Sequence, residues 1–279
     1  MYFHSGSSFI YKIPIDSGKA TRFTRGKEGF EGVPSFSPDG KLIAYSYSPG
    51  HKVHSRIIIC EVDGSNAHPF ATLEADDFRP LFSTDNKTII FARSGYFGSY
   101  SPIAQPYHHE WNFYTSDLSG GNLRQLTNED FYMVSRASVS PDGKSLLFVS
   151  SEGTASGDGM LIYSLEQPGK PKQVLQPHVK HEPAQSTFND PIFLPDGKSI
   201  LFLAATTGAS SAYDYDVYRM DLQTQEIEKR TIANGYAYNL QVSPDGKRAV
   251  FVKGLKDPEI VLLDLANNQL TPLKVTGLD

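Results

Sequence analysis

The chain has 279 residues, of which 39% are hydrophobic, and a formal charge of −5, values that indicate a soluble globular protein. No basic stripe is present, which argues against nucleic acid as the main partner. No run approaches the roughly 18 apolar residues of a membrane span, and no export signal opens the chain. Cys60 is the single cysteine, so an internal disulfide is excluded. We therefore expect a cytoplasmic protein, or a periplasmic one if the natural N-terminus is longer.

The first predicted element is a pair of short strands at Phe9–Phe23, joined by a turn that contains Asp16 and Gly18. Gly, Asn and Asp tolerate the positive φ angles of tight hairpin turns, so this pattern predicts a hairpin. Similar pairs follow along the chain at Ile57–Phe70, Asn112–Leu126, Leu161–Leu175, Asp216–Ile232 and Glu259–Leu273.

A second kind of hairpin occurs between these pairs and has the form Ser-Pro-Asp-Gly-Lys followed by apolar residues. Its copies are Pro34–Tyr47, Pro80–Ala92, Ala137–Val149, Pro191–Leu203 and Leu240–Val252. The turn aspartates are spaced by roughly 50 residues, as expected for the four-stranded blade of a β-propeller. Nearly continuous apolar strands, such as Leu146–Val149, predict burial on both faces between neighbouring blades.

Six outer pairs and five inner hairpins together predict an all-β, six-bladed propeller of four-stranded blades, with residues 1–279 forming a single domain. The innermost strand of the first blade has no matching sequence. That blade is therefore expected either to be incomplete or to be closed by the C-terminal tail, Val275–Asp279.

The Ser-Pro-Asp-Gly-Lys hairpins, with endings such as Gly120–Thr127, resemble the TolB-type, WD-like propeller repeat over nearly the whole chain. The family includes periplasmic translocation proteins, the propeller halves of prolyl-oligopeptidase-like peptidases, and oligogalacturonate lyases. These proteins share a scaffold and differ in activity. The Gly-x-Ser-x-Gly element of the peptidases is absent, since Gly208–Ala212 only approximates it. A serine peptidase is therefore not expected.

The resemblance implies that the short Asp-Gly turns lie on one face of the propeller and the long, variable connections on the other. Binding residues concentrate on variable loops that a rigid scaffold holds in place, so the loop-rich face is the candidate site. Six of the eight histidines fall in these loops: His51, His54, His108, His109, His178 and His181. They could converge on a divalent metal such as zinc or manganese, or they could be exposed side chains that never meet.

The position six residues before each turn aspartate begins an innermost strand at the mouth of the predicted channel. It is occupied by Val33, Arg79, Arg136, Asp190 and Asn239. Two arginines from neighbouring blades could grip a carboxylate or phosphate, with Asp190 and Asn239 completing a ligand site. The alternative is a structural network of ion pairs that lines the channel.

The segment Gly95–Trp111 is the longest connection within a blade and is dense in aromatic and histidine residues. Tyr107, His108, His109 and Trp111 are its candidate ligand-binding residues. Pro102 and Pro106 are expected to keep it from forming a regular strand or helix. Long loops inside compact domains are usually functional or mobile, and aromatic side chains favour an ordered, functional one.

The favoured hypothesis is a binding module without enzymatic activity that presents its loop-rich face to a protein, a peptide or an anionic saccharide. The alternative is a metal-dependent lyase or hydrolase acting on an acidic saccharide, by similarity to oligogalacturonate lyase. In that hypothesis histidines hold the metal and arginines position the substrate carboxylate.

Overall fold

The computed structural model describes residues 7–24, 29–50, 54–70, 75–100, 106–151, 159–169, 171–175, 177, 187–205, 214–231 and 235–278. The chain divides into two compact units. The first consists of Met1–Met133 with Gln167–Gly169 and Thr276–Asp279, and the second of Val134–Glu166 with Lys170–Val275. Within the described residues, no helix has the length and apolar character needed to cross a membrane.

The strands of the first unit are β1 (Ser7–Ser8), β2 (Tyr11–Lys12), β3 (Thr21–Arg22), β4 (Gly29–Phe36), β5 (Leu42–Ser48), β6 (Arg56–Glu61), β7 (His68–Phe70), β8 (Asp76–Phe82), β9 (Thr88–Gly98), β10 (Tyr107–Asp117) and β11 (Arg124–Gln125). The strands β4 to β7 form blade 1 in chain order, and β1 adds to β4 in parallel. Blade 2 consists of β8 to β11, again in chain order, and β2 pairs with β3.

The strands that follow are β12 (Met133–Val134), β13 (Ser138–Val139), β14 (Ser145–Ser151), β15 (Gly159–Ser164), β16 (Pro171–Leu175), β17 (Phe188–Phe193), β18 (Ser199–Ala205), β19 (Tyr215–Asp221), β20 (Ile227–Lys229), β21 (Ala237–Val242), β22 (Arg248–Lys253), β23 (Glu259–Asp264) and β24 (Leu270–Leu273). Blade 3 has the order β12-β14-β15-β16, with β13 also paired to β14. Blade 4 consists of β17 to β20, and blade 5 of β21 to β24.

The all-β propeller prediction is confirmed, but the prediction of six blades is wrong, because the described residues form five. The pair at Phe9–Phe23 is a hairpin of two-residue strands, β2 and β3, and is not half of a four-stranded blade. The C-terminal tail does contact it: Lys19 and Thr276 form a parallel bridge, and Ala20 N donates to Thr276 O at 2.7 Å. The turn residues are therefore sufficient to form a hairpin, but within the described residues no further strands pair with it to complete a four-stranded blade.

The Ser-Pro-Asp-Gly-Lys phrase folds as a hydrogen-bonded turn between the two inner strands of a blade. In blade 1, Ser37 Oγ donates to Asp39 Oδ1 at 2.7 Å and accepts from Leu42 N at 2.9 Å. Gly40 has φ 70°, a left-handed angle that glycine adopts without strain. Serines occupy the same position in blades 2, 3 and 5, whereas blade 4 has Leu194 there.

The hydrophobic core lies between neighbouring blades within each unit. Strand β18 is buried along its whole length. Its Phe202 is 1% exposed and contacts Phe188 and Tyr218, with ring centroids 6.0 and 5.7 Å apart. The same cluster includes Leu147 of blade 3, so inner strands are covered on both faces, as the apolar runs predicted.

We expect Phe202→Ala to lower the free energy of unfolding by about 3–5 kcal/mol, because it removes a buried ring and leaves a cavity. The matched control is Phe36→Ala, since Phe36 is 61% exposed. Its effect should stay within about 0.5 kcal/mol. Urea unfolding followed by circular dichroism measures both variants, and equal losses would contradict this location of the core.

We expect Ser37→Ala to raise the pKa of Asp39, which the hydrogen bond from Ser37 holds below its ordinary value. Asp85 and Asp245 have pKa values lowered in the same way by their own serines and should be unaffected. A carboxylate with a lowered pKa stabilises the fold above the pKa of the unfolded chain, and this contribution is lost as pH falls through the folded pKa. Titration of the side-chain carboxyls by NMR tests this, and an unchanged Asp39 titration would disprove the role of Ser37.

Candidate functional site

The segment Gly95–Trp111 is mostly a continuation of strands β9 and β10, not the irregular loop that its prolines suggested. Tyr107 pairs with Gly98, His108 with Phe97, and His109 with Tyr96. The prediction failed because neither paired strand contains a proline. Pro106 immediately precedes β10, and Pro102 lies outside the described residues.

Two glycines of β9 make room for the side chains around them. A Cβ on Gly95 would lie 3.3 Å from both Cβ and Oε2 of Glu110, and a Cβ on Gly98 would collide with the ring and hydroxyl of Tyr96. Glu110 itself has φ 56°, so its backbone is left-handed inside the strand. The two glycines thus allow Glu110 and Tyr96 to lie against the hairpin.

The hairpin and the loop after β11 together expose four tyrosine rings, which we call the aromatic face: Tyr96, Tyr100, Tyr107 and Tyr132. Their exposed fractions run from 38% for Tyr96 to 60% for Tyr100. Phe97 is also exposed, but it alternates with Tyr96 along β9 and packs on His108, so it lies on the other side of the hairpin. Among the described residues, Phe36 is the one remaining exposed Phe, Tyr or Trp side chain. Clustered, exposed apolar side chains mark interaction surfaces, whereas scattered ones do not.

The imidazole of His109 lies beneath this face, between Tyr100 and Tyr132, with ring centroids 4.7 and 4.6 Å apart. His109 is 4% exposed, and its Nδ1 has no hydrogen-bond partner among the described residues. Its backbone oxygen accepts from Ser94 Oγ at 2.8 Å, which fixes its place in the hairpin. His109 thus supports the exposed rings and is not itself freely accessible.

Trp111 is also a supporting residue, since it is 4% exposed. Its Nε1 donates to His108 O at 3.0 Å, and its ring meets Phe78 edge to face at 5.3 Å. The guanidinium of Arg79 lies over the Trp111 ring at 5.7 Å. Backbone hydrogen bonds of 2.8 and 3.0 Å join Trp111 to Phe131, which positions the neighbouring Tyr132.

Two of the predicted metal-binding histidines meet at one carboxylate. His54 Nδ1 lies 3.2 Å and His108 Nδ1 3.8 Å from Asp76 Oδ2. Burial lowers the pKa of His108, with the charge of Asp76 opposing that effect. His51, His178 and His181 lie outside the described residues. Within the described part of the chain, no three His, Cys, Asp or Glu side chains are arranged to hold a metal ion.

Four of the five residues predicted at the channel mouth share an unusual backbone geometry. Their φ angles are left-handed: Val33 52°, Arg79 55°, Asp190 46° and Asn239 59°. Each lies at a register shift between the two inner strands of its blade. Bulges of this kind redirect side chains near functional sites. A left-handed φ angle is rare for a β-branched or bulky residue such as Val33 or Arg79. The sequence gives no sign of this geometry.

The fifth of these residues, Arg136, belongs to the second unit together with Asp190 and Asn239. Burial lowers the pKa of Arg136, and the charge of Asp190 opposes that effect. Asp190 Oδ2 accepts from Leu240 N at 3.2 Å, which links blade 4 to blade 5. Arg79 belongs to the first unit, so a grip that combines it with Arg136 stays a prediction.

Carboxylates that sequence reasoning did not select lie beside the aromatic face. Tyr100 Oη donates to Glu110 Oε1 at 3.1 Å. Asp130, with φ 51°, accepts from Asn112 Nδ2 at 2.7 Å and interacts electrostatically with Tyr100. In the sequence, only their position points to a role at the site: Glu110 immediately precedes Trp111, and Asp130 immediately precedes Phe131.

A buried ion pair lies at the base of the same hairpin. Arg93 Nε and Nη2 donate to the two carboxylate oxygens of Asp77 at 2.7 and 2.9 Å, and Asp77 is 5% exposed. Burial alone would lower the pKa of Arg93, but the hydrogen bonds and charge of Asp77 outweigh it and raise that pKa. Burial raises the pKa of Asp77, with the hydrogen bonds and charge of Arg93 opposing that effect. The pair fixes β8 against β9.

The chain is similar in sequence to TolB and in structure to several propellers. It is 25% identical over 191 residues to the Tol-Pal system protein TolB of Francisella tularensis, a match that covers 67% of this chain and 40% of that protein. The chain therefore spans two fifths of the length of this relative. No family model matches it.

In structure, the chain superposes on TolB from Acinetobacter baumannii with a TM-score of 0.71 at 18% identity, covering 94% of this chain and 58% of that one. It also superposes on an oligogalacturonate lyase in complex with manganese, with a TM-score of 0.62 at 14% identity, covering 95% and 70%. Such identities show the fold alone. The chain has a β-propeller fold similar to that of TolB, and its function must be argued from its own residues.

We expect Arg93→Ala to lower the free energy of unfolding by about 3–5 kcal/mol, because it leaves the charge of Asp77 buried without a partner. The double variant Arg93→Met/Asp77→Leu removes both charges and should recover most of the loss. Urea unfolding at neutral pH measures both. A double variant less stable than Arg93→Ala would show that the pair is not the reason for the loss.

Proposed function

We propose that this chain is a binding module that docks a protein partner on the aromatic face and makes or breaks no bond. The observation that carries the proposal is the clustering of Tyr96, Tyr100, Tyr107 and Tyr132 on one hairpin and its adjoining loop. Tyrosine is enriched in protein interfaces because its ring buries a large area while its hydroxyl keeps a hydrogen bond.

The construction of the face supports this role. Tyr96 and Tyr107 belong to the paired part of β9 and β10, and His109 packs beneath Tyr100 and Tyr132. Tyr96 and Tyr100 stack at 5.3 Å, so each limits the rotation of the other. Side chains that are already ordered lose less conformational entropy on binding, which favours affinity.

The comparisons support a protein partner at a coarser level. The relative from Francisella tularensis is named as a protein of the Tol-Pal system. The resemblance to TolB also favours the periplasmic alternative for the natural protein over the cytoplasmic one. Ligand binding by Arg136, Asp190 and Asn239, which all belong to the second unit, is retained as a second part of the proposal, supported by the left-handed backbone at Asp190 and Asn239.

Immobilised protein tests the proposal. We expect Tyr96→Ser/Tyr100→Ser/Tyr107→Ser to lose at least about fivefold of the partner proteins that the wild type captures from an extract of its source cells, quantified by mass spectrometry. The matched control is Phe36→Ser/Leu123→Ser/Leu255→Ser, which removes three exposed apolar side chains elsewhere, 42–64% exposed. Thermal melts establish that both variants are folded.

Equal capture by the two triple variants would refute docking on the aromatic face. The competing lyase hypothesis makes a different prediction, namely that the wild type with added manganese releases unsaturated uronate from polygalacturonate, which absorbs in the ultraviolet. Release that survives in the tyrosine variant but is lost on chelation would replace the proposal with a metal-dependent enzyme.

A further inference from the structure

We infer that the aromatic face binds a polypeptide segment rich in arginine or lysine. This rests on the proposed function and adds the chemical class of the partner. Two features of the face carry it, and both lie in the first unit: exposed tyrosine rings, and carboxylates placed beside them without a neighbouring basic side chain from the same segment.

The carboxylates belong to the same elements as the rings. Glu110 accepts from the hydroxyl of Tyr100, and Asp130 interacts electrostatically with Tyr100. The local charge is therefore negative on the side where the rings are exposed.

Basic side chains near the hairpin are committed elsewhere. Arg93 forms the buried pair with Asp77, and Arg79 lies over the ring of the buried Trp111. From Gly95 to Val134 the sequence contains one Lys or Arg, which is Arg124. Arg124 pairs with Thr115, near the end of β10 that is far from Tyr107.

Cations match this combination of groups better than anions do. A guanidinium or ammonium group over a tyrosine face gains about 0.5–1 kcal/mol at an exposed site, and the planar guanidinium also stacks. The same group can pair with Glu110 or Asp130, each exposed pair adding up to about 1 kcal/mol. An acidic saccharide meets like charges here, at a cost of about 1 kcal/mol for each pair of charges at 4 Å in water.

The buried polar atom under the face supports a peptide over a simple cation. His109 Nδ1 has no partner among the described residues and lies between the rings of Tyr100 and Tyr132. A peptide carries backbone donors and acceptors along with its basic side chains. A peptide N–H inserted beside these rings would donate to this atom.

Fluorescence anisotropy with three labelled dodecapeptides tests the inference: (Gly-Arg)6, (Gly-Gln)6 and (Gly-Glu)6. We expect wild-type protein to bind (Gly-Arg)6 in preference to the other two, and more weakly as salt rises, because the Debye length shortens. Glu110→Gln/Asp130→Asn should weaken this binding about threefold to tenfold. The matched control, Asp257→Asn/Glu259→Gln, removes two exposed carboxylates of the second unit and should leave the affinity unchanged.

Several results would overturn the inference: equal or tighter binding of (Gly-Glu)6, equal affinities of the two charge variants for (Gly-Arg)6, or binding that survives in the tyrosine triple variant. Preferential binding of oligogalacturonate to the face would do so as well. If capture of extract proteins depends on the tyrosines but not on Glu110 and Asp130, the partner is not recognised by its basic side chains. That result would refute this inference but not the proposed function.

Discussion

The register of the inner hairpin is the constraint on which the rest of each blade depends. Ser37 fixes the turn by contacting both Asp39 and Leu42, and four residues earlier Val33 shifts the pairing through a left-handed bulge. Because a slip by one residue would move every side chain to the other face, turn and bulge together decide which residues are buried between blades.

Local chemistry made the turns and inner strands predictable from the sequence, since Ser, Asp and Gly act within a few residues of one another. The blade count was not predictable in the same way. The Phe9–Phe23 hairpin has a sound local signal, but a blade needs two further strands, and among the described residues no other strand pairs with β2 or β3. The prediction of an irregular loop at Gly95–Trp111 was wrong for a related reason. The prolines alone do not show where the hydrogen-bonded ladder between β9 and β10 ends.

The sequence predicted aromatic and histidine residues of the candidate site but not its carboxylates. Tyr107, His108, His109 and Trp111 do gather on one hairpin, but His109 and Trp111 are buried supports under exposed rings. The carboxylates of Glu110 and Asp130 are presented from left-handed backbone, which no spacing rule reveals. The prediction of an anionic ligand was based on the arginines, and it therefore left out the acidic side chains beside the rings.

A left-handed residue and a buried ion pair both lie in the strands that carry the aromatic face, and this has a consequence for binding. Glu110 of β10 is held in a left-handed conformation, and Asp77 of β8 is paired with Arg93 of β9. Each feature costs stability on its own and persists because the surrounding β-ladder fixes it. A ladder rigid enough to hold them also fixes the rings above. The partner then meets a surface that is already ordered, so most of the entropy cost of docking falls on the partner.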